Sequence, residues 1–290
     1  MLIYNKKFYL NRYTKLKFWS FIGCLVLIII IMLSILIYIV GVSMFNPFES
    51  LAMSAAKHSS NDVTGDLGGV SVSIPRHFAN FVEYDDINLS EKRKDIIPKR
   101  IHGYKLNSFG YYTRFPDMAG QSSQKLIKDR ESYSSGKTPW ISVGINTGSI
   151  YPGDGFLDRA TAQIGKSGDI LKYEKYEQLP NQLYGLTLYV ATGIDPKTNR
   201  PYREDTDAHD IFVHRDKKTN RVDAYIDCSN RNVIAPPCTH DLSLEPYMHA
   251  QVYVSYRRNL LPQWQEIQQS VTQQILGFKV TQAEVISIKH

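Results

Sequence analysis

The chain lacks the sequence motifs of the common catalytic centres. It contains no G-x-S-x-G, no H-E-x-x-H and no G-x-x-x-x-G-K-[ST], the signatures of α/β-hydrolases, zinc proteases and P-loop nucleotide binding. The nearest approach to a nucleophile motif, at residues 69–73, lacks the second glycine. We therefore expect a protein that is not an enzyme and that has no cofactor, no catalytic residues and no metal site.

Cysteine is also scarce, with three residues in 290. Cys24 lies inside an apolar run, whereas Cys228 and Cys238 lie ten positions apart in the polar part of the chain. In an oxidising compartment this pair is predicted to form a disulfide. Two alternatives stay open at this stage. One is a zinc site that would use the neighbouring His240, and the other is a pair of free thiols.

Basic residues outnumber acidic ones only because of a short N-terminal tail. The net charge is +6, and five positive charges precede residue 18 with no acid among them. Without these five the chain has 29 basic and 28 acidic residues, a net charge of +1. A nearly neutral domain is not expected to bind nucleic acid. The basic tail instead indicates which end of the chain stays in the cytoplasm.

The longest uncharged stretch covers residues 18–42, which contain no Asp, Glu, Lys or Arg. A helix of that length would reach roughly 37 Å, enough to cross a hydrocarbon core of about 30 Å. It therefore predicts a single transmembrane helix in the inner membrane, with residues 1–17 cytoplasmic and the remainder periplasmic. A cleaved signal peptide, with a cleavage site near residues 54–56, is the alternative.

The remaining chain divides into a linker and one folded domain. Residues 43–69, rich in Ser, Gly, Asn and Asp, are predicted to be a linker, and residues 70–290 an α+β domain. An antiparallel sheet should be closed by an amphipathic helix over residues 259–276, in which apolar residues recur every three or four positions. The strands are predicted at residues 70–74, 105–115, 140–145, 183–192, 210–215, 222–227 and 248–256.

Two polar clusters have candidate chemistry. Asp205, Asp207 and Asp210 could offer oxygen ligands to calcium, but residues 205–216 lack the central glycine and final glutamate of an EF-hand loop. An exposed acidic loop is the simpler interpretation. His240 is followed directly by an aspartate, and adjacent residues of a strand point to opposite faces, so a catalytic dyad is not expected. The basic residues at 257 and 258 favour a solvated face or a partner contact.

Several phrases together resemble a known family. They are SIPR at 73–76 with VEYD at 82–85, LNSFGY at 106–111 with RFPDM at 114–118, Cys228 and Cys238 with the following Thr-His, and YRRNLLPQW at 256–264. This order resembles membrane- or lipid-anchored immunity proteins of Gram-negative type VI secretion systems, which act against periplasmic lipase-type effectors. The chain departs from a lipoprotein because no lipobox cysteine follows the apolar run.

The resemblance implies a steric mechanism. A tethered domain would bind an incoming protein toxin and occlude it, and the binding energy would come from a few aromatic and arginine side chains. The candidate partner-binding residues are Tyr111, Tyr112, Arg114, Tyr151 and Tyr202. Core packing is the alternative for each of them. Two further function classes stay open, a single-span envelope scaffold and an envelope enzyme that would use His209 or His240.

Overall fold

The computed structural model of the chain describes residues 62–85, 104–132, 139–166 and 175–280, together with Met32. By its internal contacts the chain divides into two units, Met1–Lys57 and His58–His290. The elements below all belong to the second unit.

Twelve strands of this unit form one sheet, in the order β2-β1-β4-β6-β12-β11-β10-β9-β8-β7, with β3 and β5 also paired to β4. The strands are β1 (Val63–Leu67), β2 (Val70–Ile74), β3 (Asn80–Tyr84), β4 (Lys105–Arg114), β5 (Ala119–Gly120), β6 (Trp140–Asn146), β7 (Tyr176–Gln178), β8 (Thr187–Ala191), β9 (His209–Arg215), β10 (Val222–Ser229), β11 (Pro237–Ser243) and β12 (Gln251–Arg257).

The predicted fold class is wrong. The described domain is mostly one large sheet. The sheet is mixed because β1, the second strand from one edge, pairs parallel to β4 while the other ladders are antiparallel. Among the described residues, no helix has the length and apolar character that crossing a membrane requires. The predicted transmembrane segment, residues 18–42, lies outside that part apart from Met32.

The described residues of the second unit form three α-helices, α1 (Gln124–Glu131), α2 (Phe156–Ala162) and α3 (Trp264–Leu276). Helix α3 begins five residues later than its pattern predicts, because Arg258–Gln263 forms a 3-10 helix that contains Pro262. A proline disfavours α conformation in the residue before it and removes a backbone donor. Four residues of α3 are buried and form the predicted apolar stripe: Trp264, Ile267, Val271 and Ile275.

The two faces of the sheet bury different amounts of apolar surface. The larger cluster includes the stripe of α3 together with sheet residues such as Phe212, Ile226 and Val254. A smaller cluster on the other face joins Phe156 and Leu157 of α2 to residues of β9 and β10. Helices α2 and α3 thus cover opposite faces of the sheet.

Strand β1 falls inside residues 43–69, which the sequence assigns to a linker. Leu67 pairs with Val70, so Gly68 and Gly69 form a two-residue hairpin turn with φ values of 60° and 91°. Such a turn needs positive φ at both positions, which glycine supplies without strain. These two glycines therefore mark a hairpin and not a flexible spacer.

The outer edge of β2 is covered by the end of the described chain. The backbone N–H of Ser73 donates to the carbonyl of Phe278 at 2.9 Å, and that of Val280 donates to the carbonyl of Ser71 at 3.1 Å. Lys279 also forms an isolated antiparallel bridge with Val72, so residues 278–280 lie along this edge. A paired edge offers fewer free backbone groups to other chains.

Candidate protein-binding site

The Cys228–Cys238 disulfide closes the connection between β10 and β11. The two cysteines face each other in the β10–β11 ladder, and both side chains are fully buried. The predicted pairing is therefore present, and neither cysteine is available to bind zinc. We call residues 230–236, which lie between these strands, the disulfide loop.

The tip of the disulfide loop is apolar and exposed. Ile234 is 95% exposed and Val233 is 54% exposed. Turns normally place polar residues or glycine at such positions, so two branched apolar side chains in solvent are unusual for a connector. Single exposed apolar residues are common on protein surfaces. Here, however, they are adjacent and lie on a covalently closed loop.

The base of the disulfide loop is held by contacts from distant segments. The backbone N–H of Asn230 donates to the carbonyl of Ala208 at 2.9 Å, and that of Arg258 donates to the carbonyl of Pro236 at 2.8 Å. The Arg231 guanidinium forms an ion pair with Asp207 at 3.2 Å. These contacts fix where the loop leaves and re-enters the sheet.

Beside this loop lies an open cleft of about 560 Å³, which we call the arginine cleft. It lies at the end of the sheet where β9 begins and β10 ends, so segments that are far apart in sequence meet there. Its lining residues are Arg200, Arg203, Glu204, Asp210, Asn230, Asn232 and Arg258.

Asp210 organises the cleft from beneath. Its side chain is 1% exposed and receives two hydrogen bonds from Arg203, at 3.0 and 2.9 Å, and one from Arg258 at 2.5 Å. The Asn230 amide donates a further bond at 3.1 Å. Burial alone would raise the pKa of Asp210, but the hydrogen bonds from Arg203, Asn230 and Arg258 outweigh burial and lower it. The carboxylate therefore stays ionised and fixes both guanidinium groups.

The acidic stretch 204–210 does not have the arrangement of a calcium loop. Glu204 forms an ion pair with Arg200 at 3.0 Å, and Asp207 and Asp210 pair with arginines as described above. In the described part of the chain, no group of three or more His, Cys, Asp or Glu side chains could hold a metal ion. Of the three carboxylates suggested as calcium ligands, Asp207 and Asp210 pair with arginines. The third, Asp205, accepts from the backbone N–H of Asp207 at 3.1 Å.

The five residues predicted to bind a partner do not form one surface. Tyr111 is 2% exposed and packs edge-on against Phe78 in the core, at 5.4 Å between ring centroids, so it is not available to a partner. Its hydroxyl pKa is raised by burial. Tyr112 points to the opposite face, where the Arg130 guanidinium lies 4.6 Å from its ring centroid.

Arg114 and the two other tyrosines lie apart from one another. Arg114 is paired with Asp117 and with an aspartate of α1, and β4 is four strands from β10 in the sheet. The Tyr151 hydroxyl donates to Glu245 at 2.9 Å. Tyr151 lies in the segment after β6, at the end of the sheet that is remote from the cleft. Tyr202 is the exception, since it directly precedes Arg203 of the cleft and packs beside Ala191 and Ala208.

His240 has a structural position. Its side chain is buried beneath α3, and its ring N–H donates to the Gln268 side-chain oxygen at 3.0 Å. Burial lowers the pKa of His240 to about 4, so the ring is neutral near pH 7. His209, the other candidate for enzyme chemistry, hydrogen-bonds Asp227 across the β9–β10 ladder, and that bond raises its pKa.

Sequence reasoning missed the loop tip and most of the cleft. One available signal was the apolar pair at 233 and 234 inside the cysteine-bounded segment, where turn residues would be expected. Another was Arg258, already noted as part of a basic pair. No local pattern connects Arg258 to Arg203 or Asp210, because only the strand register brings them together.

Comparison with known proteins adds two loosely similar structures. No family model and no curated protein matches the chain. It is similar to Smlt3025, described as an immunity protein of the Stenotrophomonas maltophilia type IV secretion system. The identity is 15% and the TM-score 0.48, with 77% of this chain and 94% of that chain covered. It is also similar to the Neisseria meningitidis iron-regulated outer membrane lipoprotein FrpD, at 12% identity and a TM-score of 0.41, with coverage of 76% and 92%. Both TM-scores lie below 0.5, so neither alignment assigns a fold or a function to this chain.

Proposed function

We propose that this protein is a secretion-system immunity protein that binds and occludes a protein toxin. The single observation that carries the proposal is the exposed apolar tip of the disulfide loop beside a cleft lined by arginines. Arginine is enriched among the residues that dominate binding energy at protein interfaces, and an aliphatic or aromatic side chain that fills a pocket is a common central anchor. A loop that is ordered before binding also loses less conformational entropy on association.

The proposal makes the protein a binding partner and not a catalyst. The two histidines suggested for enzyme chemistry both have structural partners, since His240 hydrogen-bonds Gln268 inside the core and His209 hydrogen-bonds Asp227. Three of the seven residues that line the cleft are arginines, whose guanidinium groups do not exchange protons near neutral pH. Their arrangement suits the recognition of a negatively charged surface.

We place this binding in the periplasm. The Cys228–Cys238 disulfide supports this location, because structural disulfides persist in oxidising compartments and are rare in the cytosol. The sequence resemblance adds a finer proposal, that the toxin is a lipase-class effector of a type VI secretion system. The choice of toxins in the experiment separates the general immunity function from the assignment to a lipase-class effector.

The test is co-expression of the full chain with periplasm-directed toxins, beginning with the product of the neighbouring reading frame. A panel should contain lipase-class effectors and effectors of other classes. We expect the chain to restore growth in the presence of its cognate toxin and not in the presence of the others. Protection from a toxin of another class would keep the immunity function and reject the lipase assignment.

A folded, oxidised chain that protects against no toxin, and that is instead recovered in a stable assembly of envelope proteins, would reject the immunity proposal in favour of a scaffold. Turnover of an envelope substrate that is abolished by His209→Asn would favour an enzyme.

A further inference from the structure

The disulfide loop and the arginine cleft form one continuous surface. Asn232 lines the cleft and is followed directly by Val233 and Ile234 at the loop tip. Asn230, at the base of the same loop, hydrogen-bonds the Asp210 carboxylate in the floor of the cleft at 3.1 Å. A partner that contacts the tip would therefore reach the cleft with the same surface.

The arginines of the cleft are positioned before any partner binds. Asp210 is almost fully buried and uses both carboxylate oxygens to hold Arg203 and Arg258. Arg203 nevertheless remains 43% exposed. A planar guanidinium group fixed in this way can donate to a second carboxylate with little further loss of rotamer entropy.

Charge on the accessible part of this surface is unequal. Four arginines are at least partly exposed, Arg200 most of all at 67%. Of the four carboxylates in residues 204–210, Glu204 and Asp207 are exposed and Asp205 is half-buried, but Asp210 is buried beneath the guanidinium groups. The accessible excess of positive charge favours a partner with a negatively charged contact surface.

We propose that this surface recognises a toxin in which an apolar pocket is bordered by Asp or Glu. Ile234 enters the pocket, and a carboxylate on its border enters the cleft between Arg200 and Arg203. This inference rests on the proposed immunity function and names the chemistry of its partner. A free anion would occupy the cleft alone and would leave Ile234 in solvent, so the joined surface favours a protein.

The test measures binding of the full chain to the toxin against which it protects, produced with its active centre inactivated. Ile234→Asp places a charge in the apolar contact and is expected to weaken binding at least about 30-fold, as for a central hot spot. Arg200→Glu is expected to weaken it roughly 10-fold, mainly through slower association and a smaller dependence on salt. Among the described residues, the Arg200 side chain pairs with Glu204 alone, in an exposed ion pair, so its replacement should not unfold the domain.

The matched control is Lys217→Glu, which makes the same change of charge in the exposed turn at the other end of β10. It should bind within about twofold of the wild type, because exposed charges separated by more than about 10 Å are largely screened. A charge reversal of one acid on the toxin should then restore binding of Arg200→Glu.

The outcomes distinguish a failure of the proposed contact surface from a failure of the proposed immunity function. Wild-type binding that is lost in Ile234→Asp, weakened in Arg200→Glu and retained in Lys217→Glu supports the inference. If the wild type protects and both site variants bind as it does, this surface is not the contact, while the immunity function stands. If Arg200→Glu alone binds as the wild type does, the carboxylate contact is rejected. If the wild type neither binds nor protects, the immunity function fails and the inference fails with it.

Discussion

The two connections at the ends of β10 are held in different ways. The turn from β9 to β10, residues 216–221, is organised by its own side chains. The Asp216 carboxylate accepts from the backbone N–H of Lys218 at 3.0 Å and of Thr219 at 2.7 Å, and from the Thr219 hydroxyl at 2.9 Å. Asn220 supplies the positive φ of 56° that completes the turn. These residue types favour such turns wherever they occur.

The disulfide loop at the other end is held by groups from outside it. A disulfide joins the strands that border it, and Arg258 donates to the Ser229 carbonyl at 3.1 Å and to the Asn230 side chain at 2.5 Å. Its own tip shows Val233 and Ile234 to solvent. The turn at residues 216–221 is thus stabilised by its own side chains. The disulfide loop is stabilised by residues outside it, which leaves its tip available for contact.

The largest expected effect is on the support of the disulfide loop. Asp210→Ala removes the carboxylate that pairs with Arg203 and Arg258, and breaking a buried ion pair on one side costs about 3–5 kcal/mol. We expect the lower end of that range because Arg203 is partly exposed. The measurement is the urea midpoint of unfolding, with an unchanged slope.

The matched control is Asp207→Ala, which removes an exposed partner of Arg231 and should change the free energy of unfolding by about 0.5 kcal/mol or less. Equal midpoints for the two variants would show that the buried carboxylate does not support this end of the sheet.

Removing the crosslink tests the same support by another route. The double variant Cys228→Ala with Cys238→Ala is expected to lose about 3 kcal/mol of stability, because the unfolded chain gains the freedom of an unclosed loop. It should also bind the toxin more weakly, since the loop must then be ordered on binding. Reduced wild-type protein serves as the comparison and should behave like the double variant. Unaltered binding after removal of the crosslink would contradict a role for loop order.

Acid should weaken the packing of β11 beneath α3. The pKa of His240 is about 4 in the folded state, against an ordinary value near 6.5, so the unfolded chain binds more protons between these values. The contribution of neutral His240 is complete above about pH 6.5 and falls as the pH approaches 4, by about 3 kcal/mol in total.

In His240→Gln this contribution to the pH dependence should disappear, because glutamine stays neutral throughout. Urea unfolding of both proteins at several values between pH 4 and 7 measures the difference. Parallel pH profiles would show that His240 titrates normally in the folded protein.

The smallest expected effect is at the turn from β9 to β10, residues 216–221. Asp216→Ala removes the acceptor of three hydrogen bonds and should lower the urea midpoint of unfolding only slightly, because the turn is exposed and water can replace part of these bonds. Toxin protection should be unchanged, since this turn lies at the opposite end of β10 from the arginine cleft. Loss of protection at unchanged stability would place the toxin contact at this turn and contradict a contact at the arginine cleft.

Elements with a strong local period could be predicted from the sequence. The strand Val70–Ile74 has the bounds that its alternation predicts, and α3 buries the stripe that its spacing predicts. The Cys228–Cys238 pair also followed from the sequence, although zinc and free thiols were open alternatives. In each case neighbouring residues hold the signal, because side-chain direction repeats every two residues in a strand and every 3.6 in a helix.

Elements that depend on distant partners could not be predicted. Strand β11 begins with Pro237 and places His240 on its buried face, so its local pattern is weak, yet it pairs with β10 and β12 on both sides. Helix α1 has few apolar residues and therefore no clear helical period, although Ser123 caps it by accepting from the N–H of Leu126 at 3.3 Å. The parallel pairing of β1 with β4 likewise joins segments with no shared local signal.

By itself, the sequence determined the type and approximate position of the strongly periodic elements and identified the cysteine pair. Only the tertiary structure decided that the sheet is mixed, that Tyr111 belongs to the core and that Arg203, Asp210 and Arg258 meet beside an exposed Ile234. The physical reason is that local periodicity fixes which way a side chain points within its own element. Strand register, and loops that join segments tens of residues apart, determine which other side chains that side chain contacts.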